Sequence, residues 1–145
     1  MIRTITTAVA AVAALAAAPA FAQDAATPEF GLELNAAADT TSGSCRLTYV
    51  ASNRSDEALE RTAYEVAVFD ADGVVTRLLA LEFGALVAGK TKILQFDLAD
   101  TPCASISRIV VNDVAACTPA AGGDDLDLCM SGLNAASRTA IQFGI

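Results

Sequence analysis

Apolar and polar residues alternate with a period of two through most of the chain from residue 30 onward, the pattern of strands with one face on a core. Phe30, Leu32 and Leu34 alternate with Gly31 and Glu33, and Cys45, Leu47, Tyr49 and Ala51 alternate less strictly with Arg46, Thr48 and Ser52. Tyr64, Val66 and Val68 alternate with Glu65 and Ala67, and Phe69 closes that segment. Asp70-Ala71-Asp72-Gly73 is a turn signal, with a glycine free to take positive φ. Reading on, the pattern predicts strands at 30–35, 45–52, 62–69, 74–83, 91–98 and 105–112, with Arg138 to Phe143 adding a terminal one. Asp56 to Arg61 and 118–127 read as loops, and Leu133 to Ala136 as the start of a short turn. The expected fold is therefore all-β, an antiparallel β-sandwich of about six to seven strands.

Residues 1–22 read as a secretory signal peptide. Arg3 supplies the positive start, an Ala-rich apolar stretch follows, and Ala20-Phe21-Ala22 fits a cleavage site before the polar Gln23-Asp24. The apolar run is shorter than the ~20 residues a membrane span requires, so no membrane insertion is expected after cleavage. The expected mature protein is one domain over 23–145, with core strands at about 30–113 and a disulfide-tied tail at 114–145. Its expected location is periplasmic or secreted.

All four cysteines, Cys45, Cys103, Cys117 and Cys129, fall in that domain. An even count in an exported chain predicts two disulfides. None of the spacings places two thiolates on one ion, and no C-x-x-C redox pair occurs. Strand counting selects the pairing. If 105–112 is one strand, its eight residues at ~3.3 Å each hold Cys103 and Cys117 roughly 26 Å apart, far beyond bridging distance. If every strand reverses the one before, the second and sixth run the same way and both begin at a cysteine. Cys45 and Cys103 then meet at one end, and Cys117 and Cys129 close a loop at the other.

Composition excludes several activities. The chain has 145 residues, a formal charge of −8 and no His. Imidazole-dependent nucleophiles and the common catalytic zinc sites are ruled out, and the charge opposes nucleic-acid binding. No cofactor and no metal is expected. Asp70, Asp72 and Gly73 begin like an EF-hand loop, but position 12 is Leu81, so a hairpin turn is expected. Gly122 to Asp127 holds one imperfect copy of a calcium-binding repeat and reads as a solvated acidic loop, with weak calcium binding as the alternative. Asn53-Arg54-Ser55 fits a glycosylation acceptor but reads as the turn ending a strand. Paired carboxylates in an aromatic cleft would suggest a glycosidase. With no Trp, two Tyr and six Phe, most at core-facing strand positions, surface carboxylates are the expected reading.

The segment 45–98 resembles the FxLYD family of small immunoglobulin-like domains in exported bacterial proteins. The resemblance rests on Val66-Ala67-Val68-Phe69-Asp70 with the turn Ala71-Asp72-Gly73, on Asn53, and on Leu86-Val87-Ala88-Gly89-Lys90. Phe69 stands in place of the family's Tyr and Ala88 in place of its Pro. The resemblance implies an immunoglobulin-like β-sandwich and no catalytic activity.

These readings predict a non-catalytic binding or interaction module of the cell envelope, whose partner is another envelope or exported protein. The alternative is an accessory subunit stabilising such a protein, and a carboxylate-based hydrolase is the weakest option. The loops 53–61, 84–90 and 114–128 should meet at the end away from Cys45 and Cys103. The expected interaction surface there comprises Arg54, Arg61, Lys90, Asp124, Asp125 and Asp127.

Overall fold

The computed structural model describes residues 29–145. The signal peptide expected at 1–22 lies outside the described residues. Eight strands form two four-stranded sheets: β1 (Phe30–Asp39), β2 (Cys45–Asn53), β3 (Leu59–Phe69), β4 (Val75–Glu82), β5 (Thr91–Leu98), β6 (Arg108–Pro119), β7 (Leu133–Ser137) and β8 (Gln142–Gly144). Sheet A has the order β5-β2-β1-β7 and sheet B the order β4-β3-β6-β8. A one-turn helix, α1 (Leu128–Ser131), precedes β7.

The all-β expectation holds, but the sheets are mixed rather than purely antiparallel. β7 pairs parallel with β1, and β8 pairs parallel with β6. The last residues thus cross from one sheet to the other, and the tail is a strand donor to both. Two further differences have local causes. β6 runs on to Pro119 because a bulge at Asn112, opposite the step from Glu65 to Val66 of β3, absorbs the residue that breaks the alternation. β3 begins at Leu59, three residues before the expected 62, because Leu59 is buried and bridges Leu86 while its charged neighbours face outward.

The inner faces share one core. Leu32, Leu34, Leu47 and Tyr49 of sheet A pack with Val66, Val68, Ile109 and Val111 of sheet B. Aromatic rings join the two sheets, with Tyr49 edge-on to Phe83 at 5.8 Å and to Phe143 at 5.2 Å. Both expected disulfides form. Cys45–Cys103 clasps β2 to the turn leading into β6, and Cys117–Cys129 ties β6 to α1.

The two edge strands that face each other are closed by cations. Lys92 of β5 donates to the carbonyls of Phe83 and Ala85, and Arg77 of β4 donates to the carbonyl of Ala99. Charges pointing inward across an edge discourage strand-to-strand aggregation there.

Two buried tyrosines give a paired prediction. The Tyr64 hydroxyl donates to the carbonyl of Cys129 at 2.7 Å, whereas the Tyr49 hydroxyl is buried with no hydrogen-bond partner among the described residues. Burial raises both phenols above their ordinary pKa. Tyr64→Phe strands a buried carbonyl and should cost about 1–2 kcal/mol. Tyr49→Phe deletes an unsatisfied hydroxyl and should be neutral or slightly stabilising. Denaturant midpoints of the two variants, read side by side, check both signs.

Candidate functional site

The loops after β2, β4 and β6 meet at one end of the molecule. Leu59 and Leu86 exchange backbone hydrogen bonds, Asn53 N–H donates to Lys90, and Ala120 N–H donates to Ala58. Asn53 organises this end. It is 1% exposed, and its amide donates to the carbonyls of Glu57 at 2.7 Å and Leu86 at 3.2 Å. Its side-chain oxygen accepts from the Ser55 N–H and hydroxyl. The residue expected to end a strand in a turn is thus also a buried brace between two loops.

The third loop is shaped by its glycines and one aspartate. Gly122 and Gly123 have φ of 82° and 110°, a region open to glycine. Asp125 accepts from the Cys117 N–H at 3.0 Å and from the Thr118 hydroxyl at 2.7 Å. These two bonds, the Thr118 one foremost, together with the nearby Arg61 charge, lower the Asp125 pKa. Beyond the loop, α1 is pinned by the Cys117–Cys129 disulfide and by Tyr64.

Between these supports lies an open cleft of about 520 Å³. Four carboxylates line it, Glu29, Asp56, Glu57 and Asp127, with Leu126 and Leu128 supplying the apolar part. None of the described residues lining it is basic. The cleft is thus an acidic mouth with two leucines, held by a disulfide on one wall and by Asn53 on the other.

The residues expected to form one surface are only partly brought together. Asp127 lines the cleft, while Asp124 is exposed on the same loop and Lys90 is exposed at the end of the second loop. Asp125 is a loop brace rather than a free carboxylate. Arg61 turns to the outer face of sheet B and pairs with Glu82 at 2.8 Å. Arg54 lines a separate shallow pocket on the outer face of sheet A, where its guanidinium lies against Gly31. A Cβ at position 31 would stand 3.0 Å from that guanidinium, so the glycine leaves room for it. Sequence reading missed Glu29, Asp56 and Glu57 because nothing local joins them. Their convergence depends on the Asn53 brace and on the chain path into β1.

Elsewhere, Asp70 accepts from the N–H groups of Asp72 and Val74, the Asx-type turn expected between β3 and β4.

No family model and no curated protein matches the chain. Among solved structures, it is similar to that of IrmA from Escherichia coli, with a TM-score of 0.56 and 12% identity, covering 73% of this chain and 89% of that one. At that identity the likeness concerns the fold. The two disulfides indicate an oxidising, extracellular type of compartment. Among the described residues no helix is long and apolar enough to cross a membrane.

Proposed function

We propose that the chain is a periplasmic or secreted, non-catalytic interaction module of immunoglobulin-like sandwich type, and that the acidic cleft receives a basic segment of another envelope or exported protein. The observation carrying this reading is the convergence of Glu29, Asp56, Glu57 and Asp127 around Leu126 and Leu128. Carboxylates at the mouth suit a Lys or Arg head group, and the leucines suit its aliphatic stem. The walls are braced in advance, so little entropy is lost on docking. The two-sheet core and the β3–β4 turn support a relationship to the FxLYD family, and the parallel β7 and β8 are additions to that pattern.

The test compares the native chain with a triple variant, Asp56→Asn, Glu57→Gln and Asp127→Asn, in retrieval from the exported fraction. Asp125 is left intact because it shapes the loop. A protein recovered with the native chain and lost with the triple variant, at unchanged melting temperature, is the expected outcome. Equal recovery by both chains would place the contact elsewhere.

A further inference from the structure

The outer faces of the two sheets differ in chemistry. Sheet A covers most of its outer face with cross-strand polar pairs, with Ile93 as an exposed apolar exception beside Val50. Arg46 pairs with Asp97, Arg138 with Glu33, Ser52 with Thr91 and Gln95 with Thr48. Sheet B carries an apolar band instead. Val66 and Val68 point into the core, so Glu65, Ala67 and Phe69 face out. Register places Leu78, Ala67, Val110 and Gly144 in one row across all four strands. Leu78 is 61% exposed and Val75, beside Phe69, is 47% exposed.

Charge flanks this row with opposite signs. On one side Arg108, paired in register with Phe69, lies over the Phe69 ring at 4.1 Å. On the other, Glu65 pairs in register with Asp113. A twofold axis along the row would lay the row against itself and bring Arg108 of each copy over Asp113 and Glu65 of the second. The face is therefore complementary to itself in both polarity and charge, as an isologous interface requires.

We propose that the outer face of sheet B is the interface of a symmetric homodimer, packed about a twofold axis along the row Leu78–Ala67–Val110–Gly144. Three strands of about 26 Å and the three-residue β8, at ~4.8 Å spacing, present roughly 400 Å² per copy, about 800 Å² for the pair. An interface of that size lies at the weak, reversible end of specific complexes. The inward-pointing Arg77 and Lys92 disfavour edge pairing at β4 and β5. The acidic cleft uses other residues, so this inference stands apart from the proposed partner.

Sedimentation equilibrium of the purified residues 23–145, up to roughly 100 μM, tests it. The native chain should pass from monomer to dimer as concentration rises. Leu78→Asp, at an exposed position outside the core, should keep the melting temperature and stay monomeric. Arg108→Glu should weaken the dimer at least tenfold, and Arg108→Glu combined with Asp113→Arg should restore it, since each swapped charge again meets its opposite across the axis. A native monomer throughout the range overturns the proposal. So does a dimer indifferent to Leu78→Asp, or a double variant no tighter than Arg108→Glu alone.

Discussion

Replacing Cys45 and Cys103 together by Ala should lower the unfolding free energy by about 4 kcal/mol, whereas replacing Cys117 and Cys129 should lower it by about 3 kcal/mol. The first bridge spans a sequence separation of 58 residues and the second 12, and a longer loop closed in the unfolded chain carries the greater entropic effect. The structural consequences should differ more than the energies. Cys45–Cys103 clasps sheet A to the turn entering sheet B, so its loss weakens the whole fold. Cys117–Cys129 holds α1, so its loss should loosen the cleft wall first. Denaturant unfolding of both double variants, with hydrogen exchange over residues 120–132, checks the ranking and the locality. Equal, global loss of protection in the two variants would contradict it.

Asn53→Asp should cost about 3 kcal/mol at neutral pH, although the side chain barely changes in size. The substitution replaces an amide that donates to two carbonyls, Glu57 and Leu86, with a buried carboxylate that repels them. Repulsion and burial both raise the folded-state pKa of the new acid. The variant therefore recovers stability as pH falls towards about 4, and the deficit grows as pH rises through the raised value. Chemical denaturation of the native chain and the variant at several pH values measures this, and a pH-independent deficit would show that repulsion is not the cause.

Much of this architecture is legible in the sequence because period-two burial is a local signal. The strands β2 and β5 fall within one residue of expectation, and the cysteine pairing follows from strand count alone. Three loops meeting at one end follows from the same count. Long-range pairing with little local signature is where reading stops. Leu133 to Ser137, expected to begin a turn, is too short to announce a strand, the terminal strand expected at Arg138 to Phe143 is only Gln142 to Gly144, and the parallel partners β1 and β6 lie far back in the chain. Charged residues mislead where tertiary contacts claim them, as at Arg61 on Glu82 and Arg54 against Gly31. Asp125 reads as part of an interaction surface because its two donors, at Cys117 and Thr118, come from the strand before the loop.

The measurement bearing most directly on the central claim is the affinity of a recovered partner for the native chain and for the Asp56→Asn, Glu57→Gln, Asp127→Asn variant, at low and at physiological salt. If the acidic cleft receives a basic segment, the native affinity falls as salt rises, and the variant binds at least tenfold more weakly with a flatter salt dependence. Undiminished binding by the variant, with the same salt dependence as the native chain, would contradict the cleft as the site.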